Sequence, residues 1–215
     1  MAIEAVIWDF GGVFTTSPFE AFNRYEASRG LPRDLIRTIN TADPHDNAWA
    51  LFERSEIDAA GFDARFAEEA GARGYDLRGA DLLPLLSGDI RPRMVAALQA
   101  CKARFKVGCI TNNMASAGSG PGMASDEVKA GRVGAVMALF DAVIESSKAG
   151  VRKPDPKIYL MMCDLLSVKP AACVYLDDLG INCKPAAQLG MTAIKVTSQA
   201  QALAELAEAT GLVFA

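Results

Sequence analysis

The chain has 215 residues, 51% hydrophobic and 22% charged, an ordinary globular composition that leaves room for one large or two small domains. It excludes a disordered tail, a fibrous repeat and a disulfide mini-scaffold. The formal net charge of −4 argues against general nucleic-acid or anionic-membrane binding. In chain order, the apolar run Ala5–Trp8 reads as a buried strand that ends in a polar residue, Asp9. From residue 17 to 87 no strand is expected. Phe19, Phe22 and Tyr25 share one helical face, as do Leu51, Ile57, Phe62 and Phe66 in the next segments. Gly30, Pro32, Pro44, Gly61, Gly71 and Gly74 divide this stretch into four or five helices. It holds 13 Asp/Glu, 8 Arg and no Lys.

Beyond residue 88 strands and helices alternate. Arg93–Arg104 is a predicted helix and Val107–Ile110 a strand. Ala115–Gly122 is a predicted loop rich in Gly, Ser and Pro, followed by a helix over Asp126–Leu139. Strands at Ala142–Ile144, Val174–Leu176 and Thr192–Val196 alternate with helices at Pro156–Leu166, Lys184–Leu189 and Gln199–Ala209. The expected fold is α/β: a doubly wound, Rossmann-like parallel-sheet core over residues 1–16 and 88–215, with an all-helical insertion over 17–87. The five cysteines lie largely in apolar runs without a CxxC pair and read as buried, reduced thiols. The sole histidine, His45, reads as an exposed turn residue. A Ser–His–Asp triad and a His-rich metal site are therefore disfavoured. The start MAIEAVIWDF has no signal-peptide character, and no apolar run is of membrane-span length, so a cytoplasmic location is expected.

The polar residues at the strand ends carry the chemistry. Asp9 follows AVIW, Thr111 and Asn112 follow VGCI, Lys153 follows the AVI strand, and Asp177–Asp178 follow VYL. An open parallel sheet binds ligands beyond the carboxyl ends of its strands, so these four segments meet on one rim. Carboxylates without histidine suit a hard cation such as Mg²⁺. A lysine and a threonine hydroxyl suit an anionic group beside it, and Asp9 would serve as nucleophile and ligand together. Taken singly, each has a plainer reading: Asp9 before Gly11–Gly12 as a turn former, Thr111–Asn112 and Asp177–Asp178 as helix caps, and Lys153 as a solvated lysine.

Four segments also carry a family resemblance. DFGGV at 9–13, ITNN at 110–113, RKPDPKIY at 152–159 and LDDLGINCKPAAQLGM at 176–191 resemble the four signature motifs of the haloacid dehalogenase superfamily. The position of the helical insertion is similar to that family's first type of cap. WALFERSEID at 49–58 resembles a cap segment of phosphatase-like members. The run VIESSKAGVRKPDP is similar to the subgroup that includes the phosphatase-like N-terminal domain of epoxide hydrolases. The resemblance implies a Mg²⁺-dependent hydrolase, a phosphatase acting on small phosphate esters through an aspartyl-phosphate on Asp9.

The resemblance also implies residue roles. Asp9, the Gly11 carbonyl and Asp178 would hold the metal. Phe10, Gly11, Thr111, Asn112, Lys153 and Asn182 would surround the phosphoryl group, and Asp177 would partner Lys153. The implied partner is a phosphorylated small molecule, with no nucleic acid or membrane, for a monomer or homodimer. Phe19, Arg24, Trp49 and Arg54 are candidates for lining the substrate site. One position departs from the family pattern: Gly11 stands where phosphatases of the family usually carry a second Asp, the acid that protonates the leaving oxygen. This keeps two alternatives open, a metal-independent 2-haloacid dehalogenase and a weakly active or inactive binding module.

Overall fold

The structure, a computed structural model, describes residues 2–113 and 127–214. The predicted loop Ala115–Gly122 and the predicted helix start at Asp126 lie outside the described residues. Among the described residues, five strands form one parallel sheet: β1 (Ala5–Trp8), β2 (Lys106–Thr111), β3 (Ala142–Glu145), β4 (Cys173–Asp177) and β5 (Thr192–Lys195). Their order is β3-β2-β1-β4-β5. The central strand pairs Trp8 with Cys109 on one side and with Leu176 on the other. After β1 the chain builds outward through β2 and β3, then returns to the other side of β1 for β4 and β5. The strand order therefore reverses at β1, the position where doubly wound sheets open a crevice.

Alternation along each strand sends its side chains to two separate cores. Val6, Trp8, Val107, Cys109, Val174 and Leu176 face α5 (Pro92–Lys102), α6 (Glu127–Met137) and α10 (Gln199–Thr210). Ala5, Ile7, Cys173 and Tyr175 face α8 (Pro156–Leu166) and α9 (Gly180–Gln188). Gly108 in β2 lies under α8, where an added Cβ would stand 2.6 Å from the Met162 sulfur. All five cysteines are buried and unpaired.

Residues 18–86 contain α1 (Pro18–Ser28), α2 (Leu35–Ala42), α3 (Ala48–Glu53), α4 (Ala59–Gly71) and two short 3-10 helices, Gly79–Asp81 and Leu83–Leu86. They enclose a third core built around Phe62, whose ring lies 4.6 Å from Trp49 and 4.9 Å from Phe52, centroid to centroid. The chain enters and leaves this insertion side by side. Thr15 and Ile90 form an antiparallel bridge, Thr16 N–H donates to the Asp89 carbonyl (2.9 Å), and Arg91 N–H donates to the Phe14 carbonyl (2.7 Å).

Several boundaries differ from the sequence reading. Gly61, taken as a break, lies in the first turn of α4, where its N–H donates to the capping Asp58 side chain (2.8 Å). Ile57 falls between α3 and α4 rather than on a helical face. Helix α9 starts at Gly180, four residues before the predicted start, and runs through Pro185. A short helix, α7 (Ser146–Ala149), follows β3 directly. Among the described residues, no helix is long and apolar enough to cross a membrane.

Candidate active site

Asp9 extends β1 by one rung, donating its N–H to the Leu176 carbonyl at 2.8 Å. The chain then turns sharply, with Phe14 N–H bonded to the Phe10 carbonyl (2.9 Å). The Phe10 ring is buried against Phe14, so only its backbone is left for the rim, and Phe10 N–H donates to Asp9 Oδ1 at 2.6 Å. Gly12 takes φ +71°, and a Cβ there would lie 2.1 Å from Asp178 Oδ2. This position requires glycine twice, for its left-handed backbone and for the carboxylate packed against it. Gly11 is different. It is exposed, and a Cβ there would meet nothing within 4 Å.

Asp177 ends β4, fully buried and surrounded by donors. Tyr175 Oη donates to its Oδ2 (2.5 Å), Leu179 N–H to its Oδ1 (2.8 Å), and Asn182 Nδ2 lies 3.1 Å from both oxygens. The fourth partner is Lys153, whose Nζ stands 2.8 Å from Asp177 Oδ2 and 2.8 Å from Asp9 Oδ1. The lysine is 1% exposed, so both ion pairs are shielded from water. Lys153 is joined to Pro154 by a cis peptide bond. Asp178, next to Asp177, completes a set of three carboxylates whose oxygens lie within 4.8 Å of one another.

The balance of charge is uneven. Burial raises Asp9 well above its ordinary value, Lys153 opposes this, and Asp177 and Asp178 add to it. Burial, then Asp177, pushes Asp178 up to about 7. Burial works against the Lys153 charge, yet Asp177 and Asp9 outweigh it and hold the ammonium above its ordinary value. The three acids, set against Lys153 and, at Asp178, Arg91, all offer oxygen, a donor set that suits a hard divalent cation. Asp9 and Asp178 would hold it, and when bound it would draw charge from an anionic group at the rim.

The remaining predicted residues take definite places. Thr111 and Asn112, at the end of β2, both line the cavity described below. The Asn112 side chain grips the backbone of Lys153, accepting from its N–H (2.9 Å) and donating to its carbonyl (3.1 Å). Asn182 lines the same cavity and turns its amide nitrogen to Asp177. Asn113 ties the end of β2 to α7, accepting from Ser147 Oγ (3.0 Å) and donating its N–H to Ser146 Oγ (3.0 Å).

A cavity of about 370 Å³ opens between this rim and the insertion. Asp9, Gly11, Thr111, Lys153 and Asp178 form its floor. Phe19, Phe22, Trp49 and Leu86 form an apolar wall. Arg37, also lining it, stacks its guanidinium 4.7 Å above the Phe19 ring. Of the four insertion residues expected to line a substrate site, Phe19 and Trp49 do. Arg24 is exposed elsewhere, and Arg54 is drawn off by Glu56 (2.6 Å). His45 is exposed, as expected.

Sequence reasoning did not single out Tyr175, Glu53 or Arg152. Tyr175 was recoverable, since it precedes Asp177 by two residues and so shares its face of the strand. Glu53 and Arg152 meet only across the fold, and their spacing carries no signal.

A family model for haloacid dehalogenase-like hydrolases matches residues 3–190. Mouse bifunctional epoxide hydrolase 2 is 31% identical over 227 residues, spanning all of this chain and 40% of that protein. The chain thus spans well under half the length of its epoxide hydrolase relatives. The sesquiterpene phosphatase astK of Aspergillus oryzae is 24% identical over 210 residues and 97% of each chain. A HAD family enzyme from Bacteroides thetaiotaomicron, crystallised with magnesium and inorganic phosphate, shares the fold with a TM-score of 0.59 and 18% identity, over 92% of this chain and 96% of that one.

Proposed function

The chain belongs to the haloacid dehalogenase-like hydrolases, and from that premise we propose that it is a Mg²⁺-dependent phosphatase of small phosphate esters. The observation that carries this reading is the buried lysine bridging Asp9 and Asp177, with Asp178 beside them. Phe10 N–H and Lys153 Nζ both engage Asp9 Oδ1. Oδ2 is then the oxygen that attacks phosphorus. The P–O bond to the ester oxygen breaks as the Asp9–P bond forms, and water later cleaves the aspartyl-phosphate to return free Asp9 and inorganic phosphate. Lys153 neutralises charge on the transferring oxygens, and the Thr111 hydroxyl orients them. Asp177 acts through Lys153, fixing the ammonium from below. A cation held by Asp9, Asp178 and the Gly11 carbonyl would supply further charge stabilisation when bound.

Gly11 offers no proton to the leaving oxygen, a contribution typically worth ~10²–10⁴-fold. The substrates that suit such a site are aryl or acyl phosphates, whose leaving oxygens need little help. The aromatic wall of the cavity suits an apolar body, in keeping with a relative named for a sesquiterpene substrate. The test is turnover of an aryl and acyl phosphate panel with Mg²⁺, abolished by EDTA. Asp9→Asn should lower kcat by at least about 10³-fold with the fold intact. Turnover that persists in Asp9→Asn would remove Asp9 as nucleophile, and metal-independent halide release from a 2-haloacid would replace the phosphatase with a dehalogenase. Gly11 also favours a second reading, a non-catalytic phosphate-binding module. Beryllofluoride with Mg²⁺ should then raise Tm in a protein that turns over no ester.

A further inference from the structure

The insertion meets the sheet rim at one corner through a set of bonds that lead toward the site. Glu53 closes helix α3, and its Oε2 accepts from Asn112 Nδ2 (3.0 Å) and from Arg152 Nε (2.6 Å). Its backbone carbonyl accepts from Ser146 Oγ (2.7 Å). Arg152 also donates to the Pro44 carbonyl of the insertion (2.9 Å), and Ser55 Oγ donates to the Ser147 carbonyl (3.2 Å). The side chains of Glu53 and Arg152 are only 16% and 18% exposed, so water competes weakly for this pair.

Two of these partners are the neighbours of Lys153. Arg152 precedes it in the chain, and Asn112 holds both its N–H and its carbonyl. One carboxylate of the insertion therefore fixes the amide that fixes the lysine backbone. The lysine ammonium in turn spans Asp9 and Asp177. We infer that Glu53 is a positioning residue, coupling the docked insertion to the placement of Asn112 and Lys153 in the site. Removing it frees the Asn112 amide from the insertion and leaves Arg152 without its carboxylate, so the Lys153 backbone loses one of its restraints.

The importance of this coupling to catalysis rests on the phosphatase reading; the coupling itself does not. The direct readout is hydrogen exchange at the Lys153 amide, whose acceptor is Asn112 Oδ1. Glu53→Ala should speed that exchange at least tenfold, with Glu53→Gln between it and the native protein, while the amides of Ile7 and Tyr175 in the sheet stay protected. On an aryl phosphate, Glu53→Ala should lower kcat about tenfold. Glu53→Ala combined with Arg152→Ala should be no worse than the poorer single variant. Unchanged Lys153 exchange in both Glu53 variants would overturn the coupling. If the native protein turns over no phosphate ester, the phosphatase reading falls, and the exchange measurement still decides whether Glu53 holds Asn112 and Lys153.

Discussion

Apart from the buried Glu26, the helical insertion places its charges in the opposite way to the sheet core. In the core, the charges that matter are buried: Lys153 at 1% exposure, Asp177 fully enclosed, Asp9 at 7%. They are held by partners that arrive from three different segments. In the insertion the interior is aromatic, with Phe62 touching Trp49, Phe52 and Phe66. Its arginines pair with acids nearer the surface, as Arg78 does with Asp63. One region uses apolar packing to enclose a polar network. The other uses it to hold a shape. A buried network tolerates little change in position, and in the insertion Phe22 and Trp49 serve both the aromatic core and the cavity wall. In the proposed reading, the chemistry lies in the buried network below and the substrate body meets the aromatic wall above.

The largest expected effect separates the two cores energetically. Phe62→Ala should cost about 3–5 kcal/mol, the range for truncating a buried aromatic ring. The chain has two tryptophans, Trp8 in the sheet and Trp49 in the insertion. Single-tryptophan variants, Trp8→Phe and Trp49→Phe, then report each region in urea denaturation. If the regions are distinct, the Trp49 midpoint drops well below the Trp8 midpoint in the Phe62→Ala background. Equal shifts of both would merge them into one cooperative unit.

A smaller effect probes the rim. Position 11 has open space where a side chain would go, so Gly11→Asp should fold normally and supply the missing acid. It should raise kcat on alkyl phosphates about 10²-fold while changing aryl phosphates little. Gain on neither ester would mean that the insertion or water already delivers the proton.

The smallest effect belongs to the surface of the insertion. The Arg78 guanidinium, then the Ala80 N–H, lower the Asp63 carboxyl from 3.8 to about 2. Because the folded value is the lower one, the contribution is fully present above about pH 4 and is lost as pH falls toward 2. Asp63→Asn should therefore lower Tm at pH 7, and the gap to the native protein should shrink across that acid window. A gap that stays constant with pH would show that the pair does not act through its charge.

The two regions also differed in how far the sequence exposed them. The strand ends were legible because period and chemistry coincide there: AVIW before Asp9 and VYL before Asp177 are buried runs that stop at a carboxylate. Lys153 lies eight residues past the end of β3, beyond α7, and was legible only through the RKPDP segment that resembles a family motif. In the insertion, helical spacing revealed the segments, yet Gly61 read as a break because its role in the first turn of α4 depends on the Asp58 cap. Glu26 was invisible altogether. Fully buried, it accepts the N–H groups of Asp34 (2.7 Å) and Ile36 (2.8 Å), and so caps α2 from a neighbouring helix. Glu53 and Arg152 were hidden likewise, because 99 residues separate them. Contacts made only by the fold leave no period to read.

The bridge between Thr15 and Ile90 has a consequence for remaking the molecule. Backbones paired in that way run about 5 Å apart, close enough for a two-residue hairpin turn to join them. Everything from residue 16 to 89 is thus spliced in at a single point, without interrupting any strand of the sheet. A grafted insertion from a related chain would need to match this neck and the docking corner, where Glu53, Ser55 and Pro44 meet Asn112, Ser146, Ser147 and Arg152. Exchange of the cavity wall is a problem of two joints rather than of a whole surface.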